Sequence, residues 1–99
     1  MSAKKLPNSE FLTKELTISN KLGIHARPAA RFDKTANQFV SDIFVEKDGE
    51  KINGKSIIGL MMLAAGPGSR ITISAEGAEA QAAVDALAEL VTNRFEEDR

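Results

Sequence analysis

The sequence predicts an α+β fold: a four-stranded antiparallel sheet covered on one face by three helices, in the order β-α-β-β-α-β-α. Two kinds of pattern and one turn carry that expectation. Short segments alternate apolar and polar residues at period two, and the segments between them repeat apolar residues at helical spacing. Asp48-Gly49 joins two of the alternating segments, a hairpin signal that makes neighbouring strands antiparallel. Strands with one apolar face and helices with one apolar stripe satisfy each other in two stacked layers.

The first strand is expected over about 12–19, where Leu12, Leu16 and Ile18 alternate with Thr13, Glu15 and Thr17. Asn20-Lys21-Leu22-Gly23 breaks it. From Ala26 to about Asn37, Ala29, Phe32 and Ala36 line one side of a helix while Arg31, Asp33 and Lys34 point away. The second strand presents Phe39, Ser41, Ile43 and Val45 on one face, and the third runs through Ile52. Ser56 is placed to cap a short helix, Ile57 to Leu63. After Gly66-Pro67-Gly68, a fourth strand spans Ser69 to Ala75. Ala80, Ala83, Val84, Leu87, Leu90 and Val91 then form the stripe of the last helix.

Ninety-nine residues, 42% hydrophobic and 27% charged, suit one small domain over 11–99 behind a flexible extension at 1–10. Such a core leaves little room for an enclosed active site, so chemistry belongs on the surface. The absence of cysteine removes disulfides and thiol chemistry and fits a reducing cytoplasm. No segment approaches membrane-spanning length, and residues 1–7 lack the apolar stretch of a secretory signal. Residues 1–34 hold seven Lys/Arg against three Asp/Glu, whereas 76–99 hold two against seven. The basic residues are dispersed and no Tyr or Trp is present to stack on bases, which argues against nucleic acid as a ligand. A phosphate or an acidic protein partner fits better. No cofactor is expected, and a single histidine without neighbouring ligands argues against a metal.

The chemically informative segment is Gly23-Ile24-His25-Ala26-Arg27-Pro28-Ala29-Ala30. Pro28 fits the first turn of a helix, where a backbone N–H has no intrahelical partner. His25 therefore sits at the helix mouth, with the free amides of Ala26 and Arg27 and the positive dipole end directed toward its ring. An anion on that ring is favoured there. Attack of the imidazole on a phosphoryl donor would form phosphohistidine, whose charge the amides and the Arg27 guanidinium would meet. The plain alternative is a histidine that caps the helix or packs at the surface.

The stretch Asn20 to Ala29 resembles the phosphohistidine signature of the HPr family, small phosphocarriers of the bacterial phosphoenolpyruvate-dependent phosphotransferase system. Asn53-Gly54-Lys55-Ser56-Ile57-Ile58-Gly59-Leu60 resembles the family's second signature, around a regulatory serine, and Ile73-Ser74-Ala75-Glu76-Gly77 its junction before the last helix. The resemblance covers about 11–95. It implies the open-faced β-sandwich, with phosphate accepted on Nδ1 of His25 from phosphorylated enzyme I and passed to enzyme IIA-type domains. Arg27 would steady the phosphoryl group. The expected protein is a monomeric carrier rather than an autonomous enzyme.

Six apolar residues in the short helix, Ile57, Ile58, Leu60, Met61, Met62 and Leu63, exceed what one buried face needs. With Leu60 and Leu63 turned inward, Ile57, Ile58 and Met61 form an exposed patch, which the resemblance makes a docking surface for donor and acceptor. Ala30, Arg31 and Lys55 join it as partner-binding residues, and its basic members favour acidic partners. A phosphate on Ser56 would add charge beside Ile57 and Ile58, weakening docking without unfolding the domain. In relatives, an HPr kinase/phosphorylase serves that purpose. Gln38 departs from the glycine of many relatives, so the chain either turns at Asn37 or takes up left-handed strain at Gln38. Open alternatives are the nitrogen-related (NPr-like) branch, a module regulating transcription factors or metabolic enzymes through Ile57, Ile58 and Met61, and an amino-acid-binding regulatory domain.

Overall fold

The computed structural model describes residues 10–97 and contains β1 (Glu10–Thr17), α1 (Ala26–Ala36), β2 (Asp42–Lys47), β3 (Glu50–Asn53), α2 (Ile57–Met62), β4 (Arg70–Gly77) and α3 (Ala80–Thr92). The strands form one four-stranded antiparallel sheet in the order β1-β4-β2-β3. The expected element order and sheet are therefore present. Most of the expected extension, residues 1–9, lies outside the described residues, but Glu10 already belongs to β1 and pairs with Gly77.

Cross-strand partners share a face, which explains how period-two patterns become one core wall. Leu12 and Leu16 of β1 oppose Ala75 and Ile71 of β4, while Ile43 and Val45 of β2 oppose Ala75 and Ile73. These side chains meet Phe32 of α1, Leu60 of α2 and Leu87 of α3 in a continuous core. On the opposite face, Thr13, Ser74, Phe44 and Asn53 form one row across the four strands, and the Lys51 ammonium lies 5.3 Å from the Phe44 ring centre.

Boundaries depart from the periodic pattern where backbone pairing decides them. β1 and β4 run together from Glu10↔Gly77 to Thr17↔Arg70, so β4 extends past Ala75 and Ile18 leaves the ladder although it is buried. Phe39 and Ser41 precede β2 rather than belonging to it. Both still turn toward the interior, Phe39 packing against the core and Ser41 fully buried. Asp48 and Gly49 both have positive φ (52° and 85°), the conformation that a tight two-residue hairpin requires. The choice left open at the end of α1 falls to Asn37. Its backbone is right-handed, its N–H donates to the carbonyl of Asp33, and its side-chain amide donates to the same carbonyl and to Asp33 Oδ1, both at 2.8 Å. Gln38 carries no left-handed strain.

Beyond α3 lies an element that the periodic pattern does not announce, a single 3-10 turn at Arg94–Glu96. All three of its residues have positive φ (57°, 56° and 62°) and none is glycine. Left-handed backbone is unfavourable by roughly 1–2 kcal/mol per such residue, so outside contacts must hold the turn. Phe95 supplies the main one by burying its ring completely in the core. The Arg31 guanidinium of α1 adds a hydrogen bond to the Phe95 carbonyl.

Phe95→Ala is expected to lower unfolding stability by about 3–4 kcal/mol, through lost burial and a cavity beneath the turn. Urea unfolding at neutral pH measures it; a loss below about 1 kcal/mol would mean that Phe95 does not anchor this segment.

Candidate functional site

α1 begins at Ala26, and His25 is its N-cap, with extended backbone (φ −99°, ψ −164°) and a carbonyl that accepts from the Ala29 N–H at 2.9 Å. The histidine side chain makes no capping hydrogen bond. Pro28 is buried in the first turn and brings no N–H, so the amides left over at the helix start are those of Ala26 and Arg27. Neither has an acceptor among the described residues. Arg27 is exposed.

The segment entering the helix is fixed by backbone bonds to the loop that follows α2. Ile18 N–H donates to Ser69 O and Gly68 N–H to Ile18 O, both at 2.8 Å, and Ile24 N–H donates to Ala65 O at 2.9 Å. Gly23 sits at φ +74°, and a Cβ there would come within 2.4 Å of Ala65 O and 2.7 Å of Gly66 Cα. Only glycine tolerates both the left-handed backbone and that approach. Asn20, almost fully buried, closes the loop by donating its side-chain amide to Gly23 O at 2.8 Å.

The imidazole itself is 37% exposed. Its Nε2 is enclosed and lies 3.2 Å from Glu97 Oε2, although the approach is too oblique for an aligned hydrogen bond. Glu97 is held in turn by Asn20 Nδ2, which donates to its other carboxylate oxygen at 2.9 Å. The Ala26 and Arg27 amides are free at the helix start among the described residues, and the Glu97 carboxylate lies beside the Nε2 edge of the ring. Sequence reasoning missed it, because nothing local in Glu96-Glu97-Asp98 brings a carboxylate back to the start of α1.

α2 packs against α1 with Leu60 and Leu63 buried, as expected from their spacing. Ile57, Ile58 and Met61 are exposed, Ile58 by 72%, and Met62 and Leu22 add exposures of 68% and 69% that the sequence reading did not include. Ala30 is exposed on α1. Two of the expected cationic contacts are already engaged within the fold. Arg31 binds the Phe95 carbonyl, and Lys55 donates its ammonium to the Phe39 carbonyl at 2.8 Å. Arg27 and Lys21 remain exposed.

Ser56 caps α2 as its position suggested, its hydroxyl accepting from the Gly59 N–H at 3.0 Å. Two surface grooves beside α1 and α3, about 230 and 280 Å³, are lined by residues such as Thr35, Leu90 and Glu96. No helix among the described residues is long and apolar enough to cross a membrane.

With the site in place, its likeness to known proteins is specific. Residues 12–93 match the family model described as the PTS HPr component phosphorylation site. The chain is 46% identical over 87 residues to phosphocarrier protein HPr of Cupriavidus necator, an alignment covering 88% of this chain and 98% of that protein. It is 52% identical over 77 residues to the HPr-like protein Crh of Halalkalibacterium halodurans, covering 78% and 92% respectively. The crystal structure of HPr from Thermoanaerobacter tengcongensis superposes with a TM-score of 0.85 at 44% identity, over 89% of this chain and 99% of that one.

Gly23→Ala is expected to destabilise the domain by at least about 2 kcal/mol, through the Ala65 clash and the left-handed backbone. Ser56→Ala should remove about 1 kcal/mol, the usual worth of a hydroxyl cap. Paired urea titrations against the unsubstituted protein test both, and equal stabilities would contradict the geometry given for these two positions.

Proposed function

As the chain belongs to the HPr family of phosphocarrier proteins, we propose that it accepts a phosphoryl group on His25 from phosphorylated enzyme I and passes it to enzyme IIA-type domains in the cytoplasm. The observation that carries this reading is the helix mouth itself. It combines a partly exposed imidazole at the N-cap, two unpartnered amides at Ala26 and Arg27, and an exposed guanidinium. Negative charge developing on a transferring phosphoryl group is stabilised by donors already in place, without reorganisation at the moment of reaction. The positive end of the α1 dipole acts in the same direction.

Nδ1 is the acceptor atom in this reading. Nε2 is buried against Glu97, whereas Nδ1 has no hydrogen-bond partner among the described residues. The apolar patch of Ile57, Ile58 and Met61, widened by Met62, provides the docking surface, and Arg27 and Lys21 steer acidic partners toward it. Methionine suits a face that receives more than one partner, because its flexible thioether side chain repacks easily. Ser56 serves as a regulatory phosphosite for an HPr kinase/phosphorylase. Its hydroxyl lies at the head of that patch, so a phosphate there would bring desolvation and repulsion to an acidic partner.

A second reading has specific support in the likeness to the HPr-like protein Crh and in the size of the apolar patch. In it, the surface regulates transcription factors or metabolic enzymes, and phosphorylation of His25 is incidental.

Incubation with enzyme I and labelled phosphoenolpyruvate is expected to give an acid-labile, base-stable label that His25→Ala abolishes; a variant that still labels would refute the assignment. Ile58→Asp should raise the KM for donor and acceptor about tenfold while leaving unfolding stability within about 0.5 kcal/mol, as for an exposed position. Under the second reading, binding of a regulated protein would survive His25→Ala and disappear in Ile58→Asp.

A further inference from the structure

Glu97 is the one carboxylate that the described structure places beside the His25 ring, and its position is constructed rather than incidental. The left-handed turn at Arg94–Glu96 redirects the chain after α3, anchored by buried Phe95 and by the Arg31 hydrogen bond to its carbonyl. Glu97 N–H donates to Arg94 O at 3.0 Å and closes the turn. The side chain, only 17% exposed, then meets Asn20 Nδ2 through Oε1 and approaches His25 Nε2 at 3.2 Å through Oε2. Three unfavourable φ angles are thus maintained in a segment whose outcome is a carboxylate beneath an imidazole. Such concentrated backbone strain is a reason to look for function.

We propose that Glu97 is a positioning residue for His25, its carboxylate, oriented by the Asn20 amide, holding the imidazole proton on Nε2 and leaving the lone pair on Nδ1. A carboxylate accepts hydrogen bonds and cannot donate one, so the nitrogen facing it carries the proton. The two groups already lie within hydrogen-bond distance, and hydrogen bonds of this kind commonly align and tighten when the reacting complex forms. The proposal rests on the reading of His25 as phosphoacceptor.

In the transfer, the Nδ1 lone pair attacks phosphorus of the donor's phosphohistidine. A new N–P bond forms at Nδ1 as the donor's N–P bond breaks, its electron pair returning to the donor imidazole. That ring, cationic while phosphorylated, becomes neutral. The proton on Nε2 stays in place, so the His25 ring acquires a positive charge, which the Glu97 carboxylate offsets without moving. Onward transfer reverses the step, the N–P electron pair returning to Nδ1. Glu97 therefore touches neither phosphorus nor partner and acts only through the ring.

The test uses the full chain labelled with ¹⁵N at histidine. In long-range ¹H–¹⁵N correlation spectra of the unphosphorylated protein, Nε2 should resonate as a protonated nitrogen and Nδ1 as an unprotonated one. In Glu97→Ala, the two signals should move toward each other as the tautomers mix. In single-turnover transfer from phosphorylated enzyme I, Glu97→Ala should slow the step about tenfold, equivalent to about 1.4 kcal/mol, at unchanged half-saturating concentration, and Glu97→Asp should recover part of the rate. Unchanged ring signals in Glu97→Ala would overturn the proposal even if the rate fell, because the loss would then come from folding or docking. The spectra need no phosphoryl donor. Failure of His25 to become labelled would thus defeat the phosphoacceptor reading separately from the tautomer result.

Discussion

The backbone contact between the segment entering α1 and the loop leaving α2 is the constraint on which the site depends. Ile24 bonds to Ala65, and Gly23 approaches the same carbonyl too closely for any other residue type. That junction fixes where α1 begins, and hence which residue stands at its mouth. It also joins the two helices whose exposed residues would serve chemistry and docking. A helix start alone offers unpaired amides, as every helix does. What distinguishes this one is that an imidazole stands at the N-cap without using its side chain as the cap, while proline removes one donor and leaves those of Ala26 and Arg27.

The surroundings of the imidazole are electrostatically divided. Amides, helix dipole and Arg27 lie at the helix mouth, where they favour an anion, whereas the buried Nε2 edge faces the carboxylate of Glu97. In the proposed reading, such a division would suit a group that both accepts and releases phosphate. Too strong an anion site would retain the phosphoryl group, and an unsupported ring would accept it slowly. In the same reading, a partner seated on the exposed apolar side chains of α2 and on Leu22 would exclude water during transfer and strengthen each of these interactions.

Much of the architecture can be read from local signals because those signals coincide with tertiary demands. Asp48-Gly49 forms its hairpin, Ser56 caps its helix, and the stripe from Ala80 to Val91 is buried throughout. The N-cap place of His25 and the exposure of Ile57, Ile58 and Met61 can be read there too, the first through helix geometry and the others through an excess of apolar residues. What escaped depends on long-range pairing. The ends of β1 and β4 follow their mutual register rather than their side-chain pattern. Arg94-Phe95-Glu96 lacks the glycine that normally announces a left-handed turn, so nothing local says that the chain bends back there. Nothing local therefore singles out Glu97, and Arg31 and Lys55, expected to face partners, are both bound to backbone carbonyls.

The central claim, that the ring at the α1 N-cap is the phosphate-carrying group and uses Nδ1, is tested most directly by NMR of the protein phosphorylated by enzyme I and phosphoenolpyruvate. The account predicts one phosphoramidate ³¹P resonance, with ¹⁵N coupling that assigns the N–P bond to Nδ1 of His25. Phosphorus bonded to Nε2, or to any residue other than His25, would contradict it.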